Sequence, residues 1–299
     1  MSTGTATDLA TRIRVASTLL FVPADRPDRF AKAAAADPGL VVLDLEDAVA
    51  PAEKETAREH AVDWIEAGND CAVRINAAGT AWHAADLAAL APLRCAVVLP
   101  KADIGDLGGV VDALTQARAS ARSGPEVAGS RPLLIALIET ASGVLHSAAV
   151  AATPGVDRLA VGTFDLAAEL GVDPTDREAL AGTRHALVLA SAAAGLPGPI
   201  DGVTGVVDDA DLVEDDARYG KRLGFTGKLC IHPRQLDPVT TAFRPTDAEQ
   251  AWARQISAAI TDASGVTVVD GAMVDKPVLD RARRILAHLD AITDSEEQP

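Results

Sequence analysis

The stretch LLIALIETASGVLHSAAVAATPGVDRLAVGTFDLAAELG, residues 133–171, holds two apolar, strand-like runs that each lead to a carboxylate where a helix should begin. LLIALIET delivers Glu139 and RLAVGTFDLA delivers Asp165. If the runs are neighbouring parallel strands, both acids emerge side by side at the carboxyl edge of one sheet. Each side chain has two readings there: it caps the following helix, or it holds one side of a divalent cation.

Working outward, the same alternation recurs. STLLFVPA, LVVLDLED, CAVRINA, AVVLPK, PIDGV and KLCIHP bring the number of strand-like runs to eight. Between them lie segments such as PAEKETAREHAVDWIEAG and Asp173 to Gly195, with helical spacing of apolar positions. Most of the strands are apolar throughout, as expected when protein covers both faces, and the crossovers are long enough for parallel pairing. Eight such units predict an α/β fold, a (β/α)8 TIM barrel over residues 1–243. A doubly wound sheet usually has fewer strands, and no GxGxxG follows the first run.

Residues 244–299 break the pattern and read as a C-terminal helical and hairpin extension. The segment RPTDAEQAWARQISAAITDASG predicts a helix closed by Gly265. Asp270 and Gly271 then supply a type I′ turn before a last helix, and TDSEEQP reads as a frayed end. An extension this short should pack on the barrel or on a neighbouring subunit.

Bulk properties narrow the function. The 299 residues are 48% hydrophobic and 23% charged, ordinary for a globular chain with a sizeable core. The 43 acidic against 27 basic side chains leave a net charge of −16, which argues against a nucleic-acid partner. A basic group, Arg12, Arg14, Arg26, Arg29 and Lys32, offers either an anion site or a solvated helix face. Cys71, Cys95 and Cys230 lie in apolar surroundings without CxxC spacing and read as buried reduced thiols. With no signal core and no spanning apolar run, the expectation is a cytoplasmic protein without a membrane partner.

Polar residues fall at the strand ends, where a barrel enzyme keeps its site: Glu46 and Asp47, Arg74 and Asn76, Lys101, Glu139, Asp165, Asp201 and His232. An all-oxygen pair, Glu139 and Asp165, suits Mg²⁺, which commonly takes one or two protein carboxylates. Zinc is disfavoured, because the six histidines form no HxH or HExxH pattern. Arg74 interrupts an apolar strand and either contacts a substrate carboxylate or enolate oxygen, or pairs with Glu46 or Asp47. Those two acids would then orient the arginine or the waters around a metal. Lys101 raises a Schiff-base aldolase as an alternative, although neighbouring acids should keep its ammonium charged. Asp275 reads most simply as an N-cap, with Pro277 in the first helical turn. His232 is assigned no catalytic role.

STLLFVPADRPDRFAKA, VVLDLEDAVAPAEKETAR, VRINAAGT, VVLPKAD, LIALIETASGV, LAVGTFDLAAELG and GKLCIHPRQ together resemble the citrate lyase β-subunit-like proteins, relatives of malyl-CoA and citramalyl-CoA lyases, over residues 17 to 243. The resemblance implies a Mg²⁺-dependent barrel that cleaves or forms a carbon–carbon bond between a CoA thioester and a 2-oxo acid. It implies that Glu139 and Asp165 bind the metal, that Arg74 contacts substrate, and that Lys32 is associated with CoA. In the C-terminal AMVDKP, it implies that Asp275 is a lid aspartate that serves a neighbour's site in a homotrimer. Asp28 stands where some acyl-CoA lyases of the group have a basic residue, and Arg26, Arg29 and Lys32 are the compensating candidates. A subunit acting on an acyl-carrier-protein thioester, and a thioesterase, remain alternatives.

Overall fold

The computed structural model describes residues 8–120, 131–259, 267–269 and 272–296. Eight parallel strands close into a barrel in sequence order. They are β1 (Thr18–Pro23), β2 (Leu40–Asp44), β3 (Ala72–Arg74), β4 (Ala96–Leu99), β5 (Leu134–Ile138), β6 (Val156–Val161), β7 (Ile200–Asp201) and β8 (Gly227–Cys230). The predicted (β/α)8 TIM barrel is therefore the observed architecture, with every expected strand present. β7, read as PIDGV, shortens to two residues, and the helix expected from Asp173 begins only at Ala181.

Strand side chains alternate between the barrel interior and the surrounding helices. The interior row includes Leu40 and Val42, Ala72, Ala96 and Val98, Ile135 and Leu137, and Ala160, which pack in one core cluster with Leu19, Ile200 and Leu229. Two residues further along each strand, that inward row reaches Asp44, Arg74, Glu139 and Gly162. The functional groups thus continue the core's own period at the C-terminal mouth.

The opposite end is plugged. Helix Leu9–Val15 contributes Leu9 and Ile13, and Ala16 follows it, to the core cluster. Arg158, fully buried on β6, donates through Nη1 to Ile13 O at 3.0 Å and Ala16 O at 2.6 Å, through Nε to Gly198 O at 3.0 Å, and through Nη2 to Thr226 Oγ1 at 2.8 Å. Burial pulls its pKa down, and a forked guanidinium suits four such acceptors. Two of the acceptors, Ile13 O and Ala16 O, are carbonyls at the C-terminal end of helix Leu9–Val15, where such groups need partners.

The chain divides into two compact units, Met1–Ala242 and Phe243–Pro299. The second contains helices Asp247–Ala259 and Lys276–Glu296 and an antiparallel pair, β9 (Thr267–Val269) with β10 (Ala272–Val274). Ala253, Ile256, Val274, Leu279 and Ala282 form its core beside Trp252. The expected Gly265 helix end and the Asp270–Gly271 turn lie outside the described residues. Helix Lys276–Glu296 runs through Thr293, Asp294, Ser295 and Glu296, so most of the segment expected to fray is helical. Among the described residues no helix is long and apolar enough to cross a membrane.

Candidate active site

Glu139 stands immediately after β5 and is 3% exposed. It does not cap the helix that follows. Thr140 does, its Oγ1 accepting the Gly143 N–H at 3.0 Å, while Glu169 Oε2 accepts the Ala141 N–H at 2.9 Å. Asp165 lies in the first turn of helix Thr163–Leu170, not at the strand end, and that helix has no side-chain cap. The acid is favoured there by the helix dipole. With both caps accounted for elsewhere or lacking, the two carboxylates are available to the barrel mouth.

β5 and β6 are hydrogen-bonded neighbours in register from Ile135↔Arg158 to Ile138↔Val161. This pairing brings Gly162 against Glu139. A Cβ on Gly162 would come within 2.4 Å of Glu139 Oε2 and 2.6 Å of its Cβ, so the missing side chain is the space that the carboxylate fills.

Arg74 ends β3 in register with Asp44 of β2. Its Nε and Nη2 donate to Asp44 Oδ1 and Oδ2 at 2.7 and 2.6 Å. Asp44 also accepts the Glu46 N–H at 2.9 Å and the Ala48 N–H at 3.3 Å. Arg74 Nη1 lies 3.1 Å from Glu46 Oε2 and 3.9 Å from Asp47 Oδ2. The expected pairing with Glu46 or Asp47 is thus present, and Asp44, missed in the sequence, adds a bidentate grip on the guanidinium. Its signal was an acid ending an apolar strand beside an arginine ending the next. Phe21 lies 5.0 Å beneath the guanidinium carbon. Burial alone opposes the charge on Arg74, but the Asp44 hydrogen bonds and the fields of Asp44, Glu46 and Glu139 raise its pKa and hold it charged.

Lys101 joins the acids. Its backbone is left-handed, at φ 50°, and its N–H donates to Glu139 Oε1 at 2.9 Å. Its Nζ lies 3.0 Å from Glu46 Oε1, 3.4 Å from Asp165 Oδ2 and 3.9 Å from Glu139 Oε1. Burial lowers its pKa, but the Glu46 hydrogen bond and the three carboxylate fields outweigh that and raise it. A charged ammonium is a poor Schiff-base nucleophile.

Five carboxylates, Asp44, Glu46, Asp47, Glu139 and Asp165, thus face two cations. The excess appears as a Glu139 pKa pushed up to about 8, by burial first and then by Glu46 and Asp165, against the pull of Lys101. Glu46 is raised as well, mainly by burial. Below its loop, buried Lys54 donates to Leu45 O at 2.7 Å and Glu46 O at 2.6 Å and fixes that turn.

The acids open on a cavity of about 420 Å³ lined by Asp44, Asp47, Arg74, Glu139 and Asp165, with Phe21, Leu137, Val203, Leu229 and Ile231 as apolar wall. Its oxygen donors suit a hard divalent cation held by Glu139 and Asp165. Among the described residues no group of three or more His, Cys, Asp and Glu is arranged to hold a metal, so such an ion would need water or substrate for its remaining positions.

Lys32 is exposed on helix Phe30–Ala35 and does not line the cavity. Arg26 is bound to Asp28 through Nε and Nη2, both at 2.9 Å, so Asp28 consumes the charge of one basic candidate. The basic group is also split. Arg12 reaches Gly39 O at 3.1 Å before β2, at the closed end, whereas Arg26, Arg29 and Lys32 follow β1 at the open end. Asp275 caps helix Lys276–Glu296, Oδ1 accepting the Val278 N–H at 3.3 Å. His232 caps the turn Pro233–Gln235 through Nδ1, which accepts the Arg234 N–H at 3.1 Å; it is half-buried and not a core residue. The three cysteines are buried and free, as expected.

Acids and bases gathered at the C-terminal mouth of a closed parallel barrel define a (β/α)8 barrel enzyme. The chain belongs to the HpcH/HpaI aldolase/citrate lyase family, which matches residues 17–233. It is 39% identical over 275 residues to a citrate lyase subunit beta-like protein of Mycobacterium tuberculosis, covering 89% of this chain and 93% of that one. It is 34% identical to a (3S)-malyl-CoA thioesterase of Cereibacter sphaeroides over 92% of this chain and 94% of the relative. Among solved structures, CitE from Mycobacterium tuberculosis in complex with magnesium, acetoacetate and coenzyme A superposes with a TM-score of 0.74 at 37% identity, covering 92% of this chain and 98% of that one.

Proposed function

We propose that this protein is a Mg²⁺-dependent CoA-ester lyase that cleaves or forms a carbon–carbon bond between a short acyl-CoA and a 2-oxo acid, of the malyl-, citramalyl- or citryl-CoA type. The observation that carries this reading is the carboxylate pair of Glu139 and Asp165, opening on one cavity with the guanidinium of Arg74. The magnesium, acetoacetate and coenzyme A bound by the CitE relative support it.

Glu139 and Asp165 hold the cation, which when bound supplies Lewis-acid polarisation of the substrate's oxygens. Arg74, pinned by Asp44, presents fixed positive charge to the carboxylate or to the thioester enolate oxygen that develops on cleavage. Glu46 and Asp47 orient the arginine and the waters at the mouth. The apolar wall of Phe21, Leu137, Val203 and Leu229 excludes water beside the acyl group. Asp275, from the C-terminal unit of a neighbouring copy in a homotrimer, gives a proton to the enolate carbon, or removes it in the condensation direction. Lys32, exposed at the open end of the barrel, meets the CoA moiety.

Incubation of the purified full chain with malyl-CoA, citramalyl-CoA and citryl-CoA should give Mg²⁺-dependent release of a 2-oxo acid from at least one. No release from any of the three rejects the proposal. The thioesterase relatives support a second outcome, in which water attacks the acyl carbon; free CoA together with intact hydroxy acid identifies it.

A further inference from the structure

The Lys101 ammonium stands within 3.9 Å of three carboxylates, Glu46, Glu139 and Asp165. One residue addresses Glu139 Oε1 twice, through its N–H at 2.9 Å and its Nζ at 3.9 Å. A left-handed backbone at a non-glycine residue, φ 50°, makes this double approach geometrically possible. The same Nζ reaches Asp165 Oδ2 at 3.4 Å, so it stands between the two carboxylates to which the proposed function assigns the metal. Glu46 Oε1 anchors it at 3.0 Å, while Glu46 Oε2 faces Arg74 Nη1 at 3.1 Å. The Lys101 side chain is 42% exposed, which leaves it room to swing outward.

We infer that the Lys101 ammonium is a built-in counter-cation that occupies the carboxylate cluster in the metal-free protein and is displaced when a divalent cation binds to Glu139 and Asp165. A divalent cation held by those oxygens and the Lys101 ammonium beside them would carry like charges, which repel. Lys101 is thus a positioning residue: it keeps Glu139 and Asp165 in place without metal, and it sets the threshold that a cation must exceed to enter. A lone tether predicts the opposite sign, because loss of a tether disorders the ligands and weakens the metal.

This inference rests on the metal reading of Glu139 and Asp165, and the test separates the two. The EDTA-stripped full chain is titrated calorimetrically with Mn²⁺ and Mg²⁺, and its melting is followed with and without the ion. Lys101→Met, and Lys101→Gln as a hydrogen-bonding neutral variant, should bind about tenfold or more tightly than wild type because the repulsion is gone. Their metal-free melting temperatures should fall, and their metal-saturated ones should not. Equal or weaker binding by both variants overturns the inference while the metal site stands. If wild type binds no divalent cation, or Glu139→Gln binds as well as wild type, the metal reading fails and the inference with it.

Discussion

Asp44 and Arg74, register partners on β2 and β3, are joined by two hydrogen bonds of 2.7 and 2.6 Å, so the cation that faces the cavity is aimed by an acid on the adjacent strand. Removing one partner of a buried ion pair leaves the other uncompensated, at a cost of about 3–5 kcal/mol. Asp44→Ala should therefore melt well below wild type. Asp44→Asn and Arg74→Lys should each lose about a hundredfold or more in kcat, since neither keeps the fork-on-fork geometry. Wild-type turnover by Asp44→Asn would show that Arg74 needs no aiming.

Gly162→Ala tests the cradle around Glu139. The backbone at Gly162, φ −96°, accepts alanine, so the effect is steric: the new Cβ would meet Glu139 Oε2 at 2.4 Å. Overpacking should cost about 1–3 kcal/mol, and divalent-ion affinity should fall about tenfold or more as the ligand is pushed aside. Gly182→Ala, where nothing lies within 4 Å of the added Cβ, is the control and should melt at or above wild type. Unchanged metal affinity in Gly162→Ala would argue against Glu139 as a ligand.

The pH response follows from Glu139, whose carboxyl is raised from its ordinary 4.5 to about 8. Between those values the unfolded chain releases this proton and the folded chain keeps it. Stability from this group is therefore complete below about pH 4.5 and is lost as pH rises towards about 8. In EDTA, the melting temperature of wild type should fall across this window more steeply than that of Glu139→Gln. Saturating Mg²⁺ should reverse the difference, because an ion that binds only the folded state stabilises it. Parallel pH profiles in EDTA would refute the assignment.

Asp275 holds a cap and is proposed to move a proton, and two variants separate these duties. Asp275→Ala should lose about 1 kcal/mol of stability with the cap, whereas Asp275→Asn should keep it. Both should lower kcat by about a hundredfold or more if the carboxyl transfers the proton. Near-wild-type turnover by Asp275→Asn would reduce this residue to its cap.

The strands were legible because burial on both faces forces apolar runs, and each predicted run became a strand; even two-residue β7 was marked by Ile200 and Asp201. The extent of the helices was less so, since the turn residues from Asp173 share the composition of the helix that starts at Ala181. Glu139, Asp165 and Arg74 stood out as charges ending apolar runs. Asp44 was overlooked because Glu46 and Asp47 follow it closely, and only the register of β2 on β3 sets Asp44 opposite Arg74.

A cyclic order of eight parallel strands, with reactive side chains at their carboxyl ends, was already determined by the apolar pattern and its crossovers, because period and connection length act locally along the chain. The tertiary structure alone decided which acid grips Arg74, that Thr140 and not Glu139 is the cap, that Gly162 leaves the space for Glu139, and that Lys101 stands among three carboxylates. Apart from the local Thr140 cap, those contacts join residues tens of positions apart, and they depend on strand register and on one left-handed backbone, which no local pattern encodes.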